Sequence, residues 1–144
     1  MATETITLNP YLNFDGNCEE ALNFYKGILD GRIEVVTRYD EPSMKAPEEF
    51  KNKILHARFY FGNEMFFASD VMPGKSGNNT SPKLALTLGL RDEVLAEKIF
   101  HQLAAGGTVG VPFVKQFWGD WHGNLIDRFG VRWMVNASKR DVRR

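Results

Sequence analysis

The sequence has almost no cysteine, no long apolar run and no excess of either charge. Its one cysteine, Cys18, excludes an internal disulfide. No apolar stretch approaches the roughly 20 residues that a membrane helix needs. Eighteen basic and eighteen acidic side chains cancel. Nothing global therefore attracts the chain to nucleic acid or to an anionic membrane. The only basic run is Lys139, Arg140, Arg143 and Arg144, which reads as a solvated tail. The first residues, Met1 to Ile6, lack the basic segment and apolar core of a secretory signal, so the expected location is the cytoplasm. A phosphate-binding Walker loop, a Ser-His-Asp order and a paired-cysteine zinc spacing are also missing.

What is present is an ordinary globular mixture, 43% hydrophobic and 25% charged, in 144 residues. That length suits one domain with a real core. Residues 5–14 read as a strand that ends at Asp15-Gly16-Asn17. Asn17 is placed to cap a helix, with Glu19 and Glu20 in its first turn. Ala21, Leu22, Phe24, Tyr25, Ile28 and Leu29 recur at helical spacing, and Gly31 stands where a C-cap glycine is expected. Strands are predicted at 33–39, 54–61 and 64–69, the last two joined across Gly62-Asn63. Residues 40–52 and 72–82 read as loops.

The same order then repeats: a strand at 83–90, a helix at 92–105, and strands at 109–117, 122–127 and 131–136. Val94, Leu95, Ile99 and Leu103 mark the predicted apolar side of the second helix. The two halves, near 5–70 and 83–137, share a pattern rather than identity. Strand, helix and three strands, twice over, predicts an α+β fold of two βαβββ modules in a single domain, 1–144.

Side chains alternate across a strand. Leu55, Ala57, Phe59 and Phe61 make one apolar face, with Ile54, His56, Arg58 and Tyr60 opposite. Elsewhere the second face carries Asn9, Tyr11, Asn13, Lys83, Thr87, Arg132 and Met134. A mixed aromatic and polar face suits a concave pocket for an organic molecule. An exposed face or a dimer surface would give the same pattern.

Three stretches resemble PhnB-like proteins. They are Pro10 to Ala21, Leu55-His56-Ala57-Arg58-Phe59 with Ala68 to Gly74, and Asp127 to Asn136. Proteins of that kind have been described as 3-demethylubiquinone-9 3-methyltransferase-like. The resemblance implies the vicinal-oxygen-chelate fold of the glyoxalase, bleomycin-resistance and dioxygenase superfamily, with curved mixed sheets around a cavity and a homodimeric state. The metalloenzymes of that superfamily hold a metal from the first and last strands of each module. Carried over, those positions fall on Asn9, Ser69, Lys83 and Met134. Transition metals favour imidazole and carboxylate donors, and this set offers neither, so no metal and no cofactor is expected. Lys83 at such a position offers a fixed positive charge for an anionic ligand instead; a solvated strand-end lysine is the alternative.

His56, Arg58 and Tyr60 are the candidate catalytic residues. His56 is placed to act as an acid or base, or to bind an anion. A hydrogen-bonded structural histidine is the alternative. Asn9, Tyr11, Ser69, Lys83, Trp118 and Met134 are the candidate ligand-binding residues. His122 is expected at a rim with Phe117, Trp118 and Asp120, where Phe113 and Trp121 add rings that suit stacking on a planar ligand, or equally a structural rim or dimer contact. His101 reads as a surface residue. Cys18 sits in a first helical turn, where a dipole can lower a thiol pKa, but it reads first as a small residue near a cap.

A methyltransferase activity conflicts with one feature. Gly106-Gly107-Thr108-Val109-Gly110 follows a helix, whereas a nucleotide-type cofactor sits on a glycine-rich turn between a strand and a helix. The expected partner is a small organic molecule; the alternative is a lyase, isomerase or transferase using His56, Arg58 or Tyr60, or a metalloenzyme with its ligands elsewhere.

Overall fold

The computed structural model describes residues 4–74 and 83–139. Two compact units divide the chain, Met1–Gly77 and Asn78–Arg144. The first contains β1 (Tyr11–Phe14), α1 (Cys18–Leu29), β2 (Arg32–Arg38), β3 (Ile54–Phe61) and β4 (Glu64–Asp70). Two short 3-10 turns, Pro42–Met44 and Glu48–Phe50, lie in the segment that reads as a loop. The second unit contains β5 (Leu86–Leu90), α2 (Glu93–Ala104), β6 (Thr108–Lys115), β7 (Trp121–Ile126) and β8 (Arg132–Ala137).

Each unit is one four-stranded mixed sheet, ordered β1-β4-β3-β2 and β5-β8-β7-β6. The first strand pairs parallel to the fourth, and the other pairs are antiparallel. The topology is therefore the same βαβββ order twice, an α+β arrangement. Among the described residues no helix is long and apolar enough to cross a membrane.

Helix α1 buries Cys18, Ala21, Leu22 and Tyr25 on one stripe. Tyr25 meets Phe59 and Phe66 edge-on, at 6.3 and 6.2 Å between ring centroids. Leu12, Phe14, Ala57 and Ala68 complete this core. The expected Asn17 side-chain cap is not formed. Asp70, from the end of β4, accepts the Cys18 N–H at 2.8 Å in its place. Asp30, not Gly31, takes the left-handed C-cap conformation. Gly31 is required for a different reason: a Cβ there would overlap the Phe59 ring.

Helix α2 is rotated from the expected side. Ala96, Ile99, Phe100 and Leu103 are buried, whereas Val94 and Leu95 are exposed. The small Ala96 lets the helix approach its sheet, and the first turn points to water. Asp92 caps this helix through the N–H groups of Val94 and Leu95, at 3.0 and 3.1 Å.

Both opening strands are shorter than the apolar pattern suggests. Residues 4–10 are in no regular element, and Ile6 and Leu8 are almost fully exposed. Pro10 has no N–H to extend the ladder, although its carbonyl accepts from Phe67 at 2.9 Å. A register shift changes the face at the start of β3. Val35 pairs with Ala57, Thr37 with His56 and Arg38 with Ile54. Ile54 is consequently fully buried and Leu55 is not, the reverse of simple alternation.

Candidate functional site

Ala57, Phe59, Phe66 and Ala68 point under α1, so their neighbours on β3 and β4 face the other way. Tyr11, Phe67, Arg58 and Glu34 lie on one rung across four strands. Tyr11 and His56 have ring centroids 5.9 Å apart, Tyr11 and Phe67 5.9 Å, and His56 and Phe67 5.3 Å. The Tyr11 hydroxyl lies 3.4 Å from His56 Nδ1. These three rings form one cluster, and Tyr11 is 47% exposed.

A charged group adjoins the rings. Arg58 Nη1 is 3.4 Å from Glu34 Oε1, and the Tyr60 hydroxyl donates to the same oxygen at 3.1 Å. The Arg32 guanidinium lies 4.3 Å from the Tyr60 ring centroid. Both partners of the Arg58–Glu34 pair are half-exposed. Such a pair is worth about 0–1 kcal/mol, so a ligand carboxylate can replace Glu34 on Arg58 at little cost.

The structure thus brings Tyr11, His56, Arg58 and Tyr60 onto one face. Asn9 precedes β1, and its amide donates to the Met65 carbonyl at 3.5 Å. Ser69 is buried, and its hydroxyl donates to the Asp70 carbonyl at 3.0 Å. Phe67 and Glu34 belong to this face but were not legible as site residues. Their contributions depend on strand register, which alternation alone does not give.

The second unit presents a related face. His122 Nδ1 lies 2.6 Å from Asn136 Oδ1, and Met134 is level with Thr87 and Asn124. Lys83 is exposed and precedes β5. Trp118 lies in the β6–β7 turn, half-exposed, with its ring against Phe117 at 4.8 Å. His101 is exposed, 4.0 Å from Glu97.

The superfamily's metal positions do not fit a divalent transition metal. Ser69 pairs across the ladder with Asn13, four residues after Asn9. Met134 pairs with Thr87, four residues after Lys83. Asp70, the nearest carboxylate to Ser69 in sequence, is turned inward onto the N–H groups of Cys18 and Ile54, at 2.8 and 2.9 Å. Among the described residues no three His, Cys, Asp or Glu side chains gather as a metal site would need.

Neither strand-to-helix turn is built as a nucleotide cradle. The first amide of α1 is taken by Asp70, and Asp92 occupies the start of α2. Cys18 is fully buried, and its thiol is pushed far above the usual range by burial and then by the Asp70 and Glu19 carboxylates. Any dipole effect is overridden there, and the small residue near a cap is what the structure holds.

The sequence matches the 3-demethylubiquinone-9 3-methyltransferase family over residues 6–136. The chain belongs to that family. Protein PA1353 from Pseudomonas aeruginosa is 35% identical, with a TM-score of 0.80, covering 93% of this chain and 98% of its own. A PhnB protein from Bacillus cereus is 27% identical, with a TM-score of 0.79, covering 92% and 100%. A glyoxalase/bleomycin resistance protein/dioxygenase family enzyme from Burkholderia phytofirmans shares the fold at a TM-score of 0.57 and 14% identity, covering 88% and 95%. The family is thus PhnB-like, and its fold is the one seen in glyoxalase/bleomycin resistance proteins.

Proposed function

We propose that this PhnB-like chain binds a small planar organic molecule on the open face of its first sheet, without a metal or a methyl-donor cofactor. The observation that carries the reading is the Tyr11–His56–Phe67 ring cluster beside Arg58. Rings 5–6 Å apart with an exposed member offer an apolar surface for stacking. Arg58 and Tyr60 offer donors to an acidic or carbonyl group, and Asn9 and Ser69 border the site. A homodimer in the cytoplasm is part of the same reading, and sedimentation velocity tests the dimer.

The 3.4 Å approach of Tyr11 to His56 favours a second reading, in which His56 moves a proton on the bound molecule. His56→Phe separates the two. It keeps a ring for stacking and removes the titratable nitrogens. Native mass spectrometry against a panel of aromatic and dicarbonyl acids is the experiment. Retained binding by His56→Phe with no turnover in either protein supports a binding protein. Turnover lost only in the variant supports the enzyme. No retained ligand in the wild type overturns both.

A further inference from the structure

A pocket of about 310 Å³ lies at one end of the second sheet. Its wall gathers the ends of separate elements: Arg91 just after β5, Glu93 at the start of α2, Lys115 closing β6, Trp121 opening β7 and Lys139 shortly after β8. Trp118 and Asp120 enter from the β6–β7 turn. The turn is fixed by its own backbone. Gln116 donates to the Asp120 carbonyl at 2.7 Å, Gly119 donates to the Gln116 carbonyl at 2.9 Å, and Gly119 holds a φ of +100°. Only a glycine adopts that angle readily, so the turn sets where Trp118 points. Trp121 is held too, stacked on the buried Phe113 at 5.7 Å and 24°.

Two indoles in one wall can contact a flat ring. Arg91, Lys115 and Lys139 make no ion pair among the described residues, although the pocket also contains Glu93 and Asp120. Three cations against two carboxylates leave the wall positive, which attracts an anion. The volume is at the small end of the roughly 300–1,000 Å³ typical of ligand pockets. It therefore suits a molecule of one or two rings.

We infer that this pocket binds a planar aromatic carboxylate, its ring against Trp118 and Trp121 and its acid group toward Arg91, Lys115 and Lys139. None of these residues belongs to the first sheet, so the site stands or falls independently of the function proposed above.

The test is an NMR titration of the full chain with 2-naphthoate, using 2-naphthalenemethanol as the uncharged control. The indole N–H signals of Trp118 and Trp121 should shift saturably, and the control should bind about ten-fold more weakly. Trp118→Ser changes a half-exposed turn residue and should weaken naphthoate about ten-fold while the rest of the spectrum keeps its dispersion. Arg91→Gln with Lys115→Gln should remove the preference for the acid over the alcohol. Equal binding of acid and alcohol by the wild type overturns the inference. So do shifts confined to Tyr11 and His56, or no saturable shift at either indole.

Discussion

Cys18 stands in the first turn of α1, where partial positive charge favours a thiolate, yet its surroundings decide the opposite. The side chain is fully buried and two carboxylates lie near it, so the thiol stays protonated. Ellman's reagent should leave Cys18 untouched in the native protein and label it fully in urea; rapid native labelling would contradict the burial. Asp70 is the other residue whose role depends on distant partners. Its two carboxylate oxygens accept from Cys18 and Ile54, and the Tyr39 hydroxyl donates to its carbonyl at 2.7 Å. The Asp70→Ala variant leaves two buried donors without partners and should lose about 2–5 kcal/mol in urea unfolding. Glu20→Ala, at an exposed helix position, should change stability by less than about 0.5 kcal/mol. The sequence placed a helix start at Asn17 correctly but named the wrong acceptor. The true one is Asp70, 52 positions after Cys18 at the end of β4.

Element types were legible because periodicity reports burial directly. The helical stripe of Ala21, Leu22 and Tyr25 and the alternation in β8 are examples. Ends and faces were less legible, since they depend on partners. Pro10, with no N–H to donate, stands just before β1, and a shift between β2 and β3 buries Ile54. Two glycines separate local propensity from packing. Gly27 lies exposed within α1 with nothing near its missing Cβ, so Gly27→Ala should stabilise by about 0.5–1 kcal/mol. At Gly123, on β7, a Cβ would sit 2.8 Å from the Phe113 Cα and 2.7 Å from the Phe100 ring. Backbone cannot yield there cheaply, so Gly123→Ala should destabilise by about 2 kcal/mol or more in the same assay.

The α1–β2 contact carries a pH dependence. Arg38 grips Glu19 through two bonds of 3.1 and 3.0 Å, and that hydrogen bonding holds the Glu19 carboxyl below its usual range. The stabilisation is present above the unfolded glutamate value of about 4.3 and is lost as pH falls through the lower folded value. Glu19 is half-exposed, so the pair is worth only about 0.2–1 kcal/mol. Glu19→Gln should cost that amount at pH 7 and progressively less as pH falls below about 4; an equal cost throughout would contradict the ionic contribution.

At the scale of the whole chain, repetition is the main feature. The order of elements revealed two βαβββ modules although no residue-level identity joins them, because each module must repeat the same pattern of covered and uncovered faces. Strand register adds what the order could not. His56 on β3 and His122 on β7 both point away from their helices, beside Tyr11 and Asn136 respectively. The candidate site was half legible. His56, Arg58 and Tyr60 share a face by alternation alone. Tyr11 is on the mixed face by the same alternation, whereas Phe67 and Glu34 join them only through pairing across the strands. On the function proposed above, this first-sheet face holds a small planar molecule. Side-chain NMR of the full chain, titrated with the molecule best retained in native mass spectrometry, tests it most directly. Saturable shifts at Tyr11, His56 and Phe67, with Arg58 signals moving as Glu34 is released, are the predicted result. A tightly retained molecule that leaves all four of Tyr11, His56, Phe67 and Arg58 unmoved would contradict it.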